Sequence, residues 1–522
     1  MNPTHALAGS QHELGWNLDS PLLQIPEEGG KPFAWTIRNA VEGVQVFGGI
    51  GSGKTSGSGR VLALKYLANG FGGLVLTAKT DEKAHWQEMC RLTGRTDDLI
   101  IVEPGQLNRF NMLEYISTDR DSSLAQNIVQ VLHTVISASQ EKSSGKQEDA
   151  FWETALDMVM FNIVDLCLLA YGKVTLQLLH DVAQAMPQNP DGQPTPSRTD
   201  KKDYSAYDRA FITAQQKVDR LVEEFRKRFP AADLQHLTDG ELTQQEDEAI
   251  PELRRMQQLD NFFFEVLNKL SSKTRSIIDF SLLGFLYGLL QDPCNTLLFR
   301  HASTFTPEDC YTKGKIVVIN LPVKKYHAVG RDCQIMFKYI WQRAMEIRDT
   351  HHNGRPVFLW ADEAQHFLHA HDAEYQATAR SSRIATVYIS QNLPNYYANM
   401  SGERSAHRVK SFIGTLGTKI FHANADIETN TYAADLIGEA YTEETQSAKS
   451  VAGGFSASET TSWVLRKMVR PEEFVGLKTG GPDNDYKVVG YMHVQGKRFA
   501  SGFNHKAVTF SQHYVALNQA TR

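Results

Sequence analysis

Residues 48–55 read Gly48-Gly-Ile-Gly-Ser-Gly53-Lys54-Thr55, a match to G-x-x-x-x-G-K-[S/T] that constrains the fold more than any other feature of the chain. Glycines let backbone N–H groups turn inward as a concave nest for phosphate oxygens. The lysine neutralises β- and γ-phosphate charge, and the hydroxyl ligates Mg²⁺. The stretch follows an apolar run at 44–47 and precedes a helical pattern, the strand–loop–helix setting such a nest requires. Gly48, Gly49, Ile50, Gly51, Ser52, Gly53, Lys54 and Thr55 are therefore expected to hold ATP, with Thr55 also a metal ligand.

A phosphate nest needs a carboxylate to anchor the metal and a group to orient or deprotonate water. Val357-Phe-Leu-Trp-Ala-Asp362-Glu363 supplies both, as an apolar strand that is expected to neighbour the nest strand and to end in two acids. Asp362 is assigned to the Mg²⁺ shell and Glu363 to the attacking water. Thr386-Val-Tyr-Ile-Ser-Gln391 is a further buried strand with a polar end. Ligands of parallel sheets sit beyond the carboxyl ends of the strands, so Gln391 is expected to contact the γ-phosphate or the lytic water.

Short β-rich runs at 44–47, 74–78, 99–102, 316–321, 357–361, 386–390 and 419–423 alternate with helical stretches, which predicts a doubly wound parallel α/β sheet. Between the third and fourth runs the period changes to a helical one, at 122–136, 151–170, 207–225 and 251–270, and an all-α insertion is expected there. The resulting division is an N-terminal extension 1–40, a first nucleotide-binding part 41–142, the helical insertion 143–252 and a second nucleotide-binding part 253–522. The small, polar segment 442–462 reads as a flexible surface loop, and 486–495 alternates like a last strand.

With 522 residues, 41% of them hydrophobic, the chain is too long and too apolar for a disordered tail or a disulfide-stapled module. Lys and Arg (54) fall short of Asp and Glu (60), so the net charge is −6 and any grip on DNA must be local, in a pore or groove. Cys90, Cys167, Cys294, Cys310 and Cys333 lie far apart, which predicts neither a zinc ribbon nor a disulfide framework and fits a reducing cytoplasm. The first residues lack the pattern of a signal peptide. The best apolar stretches, 158–170 and 277–290, are broken by Asn162, Asp165 and Asp279 and read as buried helices, not membrane spans. His366, His369 and His371 lack a supporting glutamate and read as exposed loop histidines; Lys324-Lys325-Tyr326 reads as a solvated loop.

Taken together, these elements make the sequence similar to the type IV coupling proteins of conjugative DNA transfer, the TraG/TraD family in the FtsK/HerA-like branch of P-loop motors. The likeness runs from about Val41 to Gly480. Besides the phosphate nest it includes Thr77-Ala-Lys79-Thr-Asp81-Glu82, where the family has an Asp-Pro-Lys-Gly type segment, and Asn111-Met-Leu113. Phe151-Trp152 opens the helical insertion, and Thr274-Arg-Ser-Ile and Leu290-Gln-Asp-Pro293 follow it. The series then runs through Asp362-Glu363, Ile389-Ser-Gln391-Asn-Leu393 and Thr418-Lys-Ile-Phe421 to Asp426-Ile-Glu-Thr429 and Leu436-Ile-Gly438-Glu439. Two departures stand out: Ala364 replaces the family's Phe after the acidic pair, and about 40 residues precede the nest strand where members usually carry transmembrane helices.

The resemblance implies a RecA-like motor interrupted by an all-α domain, a homo-hexameric ring, and ATP hydrolysis with Mg²⁺ that moves DNA through the pore. The implied partners are DNA, a relaxase or other secretion substrate, and a type IV secretion channel or membrane-anchored protein that supplies the membrane link. The implied location is cytoplasmic, peripheral to the inner face of the membrane. A receptor ATPase for protein substrates and a DNA pump outside conjugation are the alternatives. The family's finger arginine precedes its sensor glutamine by a spacing that falls on Arg380 here, with Arg383 the second choice. A six-residue strand keeps its two ends ~20 Å apart, so Arg380 is expected to reach a neighbour's site and not its own.

Overall fold

The computed structural model describes residues 16–118, 124–140, 149–187, 204–228, 239–369, 371–400, 405–450 and 456–513. In chain order the strands are β1 (Pro21–Ile25), β2 (Phe33–Thr36), β3 (Val44–Phe47), β4 (Gly72–Leu76), β5 (Leu99–Val102), β6 (Ile316–Ile319) and β7 (Val357–Asp362). They continue with β8 (Ile384–Ser390), β9 (Thr418–Phe421), β10 (Glu439–Ser450), β11 (Ser456–Lys467), β12 (Lys487–Val494) and β13 (His505–Ser511). Nine form one sheet in the order β13-β12-β9-β3-β8-β7-β4-β6-β5. Its centre is parallel, from β9 through β3, β8, β7 and β4 to β6, as the alternation of strands and helices predicts. β12 and β13 add an antiparallel edge beyond β9.

The continuous apolar runs belong to strands covered on both faces. Every residue of β3, β4, β6, β7, β8 and β9 is buried. β12, at the margin, alternates buried and half-covered positions instead. On one side Val46, Val75, Phe358, Trp360 and Ile389 share a core with Leu64, Tyr66, Leu67 and Trp86. The rings of Trp86 and Trp360 meet edge to face at 5.4 Å.

The chain divides into two compact units. One comprises the residues up to Ile101, Pro307–Lys325 and those from Trp341 onward, and carries the sheet. The other, Val102–Thr306 with Tyr326–Ile340, is helical and broader than the 143–252 expected. The reason is packing within that unit: helix Asp149–Tyr171 lies against Leu124–Gln140 and Ala206–Arg226, and Leu176–Gln184 against Ser272–Leu290. Helices on both sides of 143–252 thus share one apolar interior, including Ile128, Leu132, Ile163, Leu179, Leu282 and Leu286. Asp165, inside an apolar run, is matched there by Arg255 at 2.5 Å, and Asp279 by Arg275 at 2.8 Å. Among the described residues one helix segment, Thr154–Tyr171, is long and apolar enough to cross a membrane, and 56% of it is buried inside the protein.

Several sequence expectations change. Cys294 and Cys333, 39 positions apart, form a disulfide in the helical unit, a pairing that spacing alone cannot reveal. Of the segment expected to be a loop, residues 442–450 and 456–462 lie in paired strands, with β10 antiparallel to β11 from Glu439↔Lys467 to Ser450↔Ser456. There the two strands satisfy each other's backbone groups, so low complexity does not leave the chain unpaired. Lys324 and Lys325 are exposed as expected but lie in the first turn of helix Val323–Glu346 and not in a loop. His369 and Asp372 are buried, so His369 is not an exposed loop histidine, and no group of three or more His, Cys, Asp or Glu among the described residues is placed to hold a metal.

Candidate active site

The phosphate nest leaves the carboxyl end of β3. Gly51 and Gly53 carry φ of 73° and 79°, in the left-handed region where a side chain is strained. At Gly53 a Cβ would also meet the Val488 side chain at 2.5 Å and the Thr479 carbonyl at 2.9 Å, so β12 closes the back of the nest. The following turn is wide: Gly59 N–H donates to Lys54 O at 2.9 Å, an i to i+5 bond, before the regular helix Arg60–Ala68 begins. Ile50 is 89% exposed at the apex, so any contribution it makes to phosphate binding comes from its backbone. Ser52 is buried, and its hydroxyl has no partner among the described residues.

His422, at the end of β9, supports this turn from behind. Its Nδ1 lies 2.9 Å from Val489 O and must carry the proton, which leaves Nε2 to accept from the Ser58 hydroxyl at 2.7 Å. Burial, with a smaller contribution from Lys54, depresses the pKa of His422 from 6.5 to about 4 and keeps the ring neutral. Nothing in the sequence marked this histidine, because its partners come from the helix after β3 and from β12.

β7 is buried along its whole length and delivers Asp362 and Glu363 at its carboxyl end. It is not the neighbour of β3 that the sequence reading expected: β8 lies between them. A third strand is thereby inserted into the site, and it brings Gln391. Asp362 Oδ2 accepts from the Thr55 hydroxyl at 2.9 Å, which joins the two expected metal ligands directly. Glu363 has φ 54° and ψ 50°, and its N–H donates to Asp362 Oδ1 at 3.0 Å. Lys54 Nζ stands 3.9 Å from Glu363 Oε1. Burial lowers the pKa of Lys54, although both acids oppose the shift.

Glu363 is fastened as a carboxylate. Burial alone would raise its pKa, but hydrogen bonds from Gln365 and Gln391 and the charges of Lys54 and Lys79 outweigh that and hold it below the usual value. Gln365 Nε2 donates to Oε2 at 3.0 Å, and Ser390 Oγ donates to Gln365 Oε1 at 2.9 Å. Gln391 Nε2 lies 3.4 and 3.5 Å from the two Glu363 oxygens, and Asn424 Nδ2 donates to Gln391 O at 2.8 Å. Lys54, Thr55, Asp362, Glu363 and Gln391 therefore meet at one end of the sheet.

Arg380 does not join them. It caps helix Asp372–Ala379 ahead of β8, at the strand end opposite Gln391, and pairs with Glu42 at 3.6 Å while remaining more than half exposed. Arg383, the second choice, donates to the carbonyls of Gly354 and Trp16 at 2.8 and 3.1 Å.

Lys79 is a site residue to which the sequence reading gave no role. Its ammonium is 3.1 Å from Asp362 Oδ2 and 3.3 Å from Glu363 Oε1. Burial would depress it, but the two acids outweigh burial and hold it charged, above the ordinary lysine pKa. Gln365, Asn424 and His422 were also missed; Lys79 lay in a segment quoted for the family likeness, and His422 in a run read only as a strand.

The donor set fits a polyphosphate and a divalent cation. Gly51 and Gly53 open the nest, the buried Ser52 hydroxyl lacks a partner among the described residues, and Thr55 and Asp362 present oxygens within 2.9 Å of one another. Lys54 and Lys79 supply positive charge on the same side of the sheet.

Comparison with known proteins gives a consistent picture. A family model described as "Type IV secretory system Conjugative DNA transfer" matches residues 26–480. No curated protein sequence matches the chain. Among solved structures, the bacterial conjugative coupling protein TrwBdeltaN70 in an unbound form is similar, with a TM-score of 0.59 at 14% identity over 98% of this chain and 93% of that one. The plasmid coupling protein TrwB with the ATP analogue ADPNP gives 0.55 at 13% identity, over 97% and 94%. TrwB with ADP and Mg²⁺ gives 0.56 at 12% identity, over 98% and 93%. At these identities the structural matches speak to the fold, a large mostly parallel sheet with many helices.

Proposed function

Because the chain belongs to the type IV secretory system family of conjugative DNA transfer, we propose that it is an ATP-driven coupling motor: a P-loop ATPase, active as a homo-hexamer, that pumps DNA with a relaxase-type protein towards a type IV secretion channel. The observation that carries this reading is the convergence of Lys54, Thr55, Asp362, Glu363 and Gln391, from three strands, at the carboxyl end of the sheet. Nucleotide analogues and ADP with Mg²⁺ in similarly folded coupling proteins support ATP and Mg²⁺ as its ligands. In this reading the chain works at the inner face of the membrane, held there by a membrane-anchored partner.

Each residue has a task. The nest N–H groups and Lys54 bind and orient the β- and γ-phosphates. Thr55 and Asp362 would hold the metal, which would neutralise charge on the phosphate oxygens. Glu363, kept as a carboxylate, takes a proton from the attacking water, and Gln391 orients that water against it. Arg380 serves the neighbouring subunit's site, where its charge stabilises the transferring phosphoryl group.

The test separates binding from turnover. Lys54→Ala is expected to lose ATP binding, whereas Glu363→Gln keeps Mg²⁺-dependent binding and loses about 10²–10⁴-fold in turnover, the usual span for removing a general base. Undiminished hydrolysis by Glu363→Gln overturns the assignment of Glu363. Hydrolysis indifferent to added DNA overturns the translocase reading.

A further inference from the structure

The position of Lys79 has a consequence beyond holding two acids. Asp362 Oδ2 accepts from the Thr55 hydroxyl at 2.9 Å and from Lys79 Nζ at 3.1 Å. The lone pairs that a divalent cation needs from Asp362 are thus already turned towards an ammonium group. Asp362 and Glu363 share the site with Lys54 and Lys79, so each acid already has an ammonium group against it before nucleotide arrives. Lys54 is buried, while the Lys79 side chain is 28% exposed and has a route to solvent. Its backbone is anchored: the N–H groups of Ala78 and Lys79 both donate to the buried Glu82 carboxyl group, at 3.2 and 3.1 Å, and Thr77 Oγ1 donates to Ile319 O at 2.8 Å. Only the side chain of Lys79 is free to leave.

We propose that Lys79 is the resident counter-ion of the acidic pair, which Asp362 and Glu363 exchange for the metal only when nucleotide comes with it. This rests on reading the site as one for a metal–nucleotide complex. A bare dication meets acids that are already paired, with an ammonium at contact distance from its ligand, and binds weakly. Nucleotide phosphates bring the negative charge that makes the exchange favourable. Lys79 thereby prevents loading with metal alone and ties metal occupancy to the presence of ATP.

The experiment is Mn²⁺ binding to the full chain, followed by electron paramagnetic resonance of free Mn²⁺, with and without ADPNP. The wild type is expected to bind Mn²⁺ weakly alone and tightly with ADPNP. Lys79→Met is expected to gain at least about tenfold in affinity for Mn²⁺ alone, one unit of log K, because the acidic pair then lacks its cation. Lys79→Arg keeps the charge and should behave as wild type, and adding Asp362→Asn to Lys79→Met should remove the gain. If Lys79→Met does not fold, Lys79→Gln, which retains a donor without the charge, takes its place. An unchanged affinity for Mn²⁺ alone in the folded variant, or a gain that survives Asp362→Asn, overturns the exchange and leaves the ATPase reading standing. Wild-type protein that binds no Mn²⁺ even with ADPNP overturns both.

Discussion

His422 contributes stability in a pH-dependent way. Burial depresses its pKa to about 4 in the folded protein, against 6.5 for a free ring, so the folded state refuses a proton that the unfolded chain accepts. The contribution is complete above about pH 6.5 and is lost as pH falls from there towards 4. Between pH 7 and 5 the loss expected from this one group is about 2 kcal/mol. His422→Asn keeps a donor for Val489 O and removes the titration, so urea midpoints of the variant should fall less over that interval. Equal falls in both proteins contradict the assignment. His493, also depressed to about 4 by burial, adds to the slope in both. A second residue-level test concerns Gln365, whose amide holds Glu363 Oε2 at 3.0 Å. Gln365→Leu should leave ATP affinity within about threefold and lower turnover by about tenfold, since it removes one hydrogen bond to a charged group. A matching loss of ATP affinity would show that the amide serves binding instead.

Among the elements, β8 is the one on which the site depends. It separates β3 from β7, so the nest and the acidic pair are held one strand apart with Gln391 and Ser390 between them. The helices next to the expected insertion behave differently from loop ends. Joining residue 142 to 253 would strip Leu124–Gln140 and Ser272–Leu290 of the helices packed on them and expose Ile128, Leu132, Leu282, Leu286 and Leu289. At roughly 1.5–3 kcal/mol per exposed large apolar side chain, that is comparable to a domain's whole margin of stability. Such a deletion is expected to bind a hydrophobic dye strongly and to elute as aggregates in gel filtration. A soluble, dye-negative product would mean that the helices re-pack.

At the scale of the whole molecule, the active species in our reading is a ring whose sites are completed by neighbours. Arg380 lies at the far end of β8 from Gln391, a strand of seven residues or ~23 Å, and its weak pairing with Glu42 leaves the guanidinium largely exposed. A head-to-tail ring turns such a residue towards the next subunit's nucleotide. Arg380→Ala should bind ATP normally and lose about 10³–10⁵-fold in turnover, the span typical of an arginine finger. Mixing it with Lys54→Ala subunits, which keep Arg380 but have no working site of their own, should restore part of the activity. Full activity of Arg380→Ala alone, or a monomeric active species, removes the finger from the mechanism.

The sequence by itself determined which polar groups stand at each strand end: a nest of this kind needs its glycines, lysine and hydroxyl contiguous, and the acidic pair follows an apolar strand. These are local requirements, so Lys54, Thr55, Asp362, Glu363 and Gln391 could be read without coordinates, as could the parallel sheet, from its buried runs. Only the tertiary structure decided which strand lies between β3 and β7, because strand order depends on contacts across hundreds of residues. It also decided that Lys79 meets Asp362, 283 positions away, that His422 backs the turn after β3 and that Gln365 holds Glu363. The Cys294–Cys333 pairing and the extent of the helical unit were out of reach for the same reason. A side chain's role there is set by what folds against it, and periodicity and spacing record only what its own segment requires.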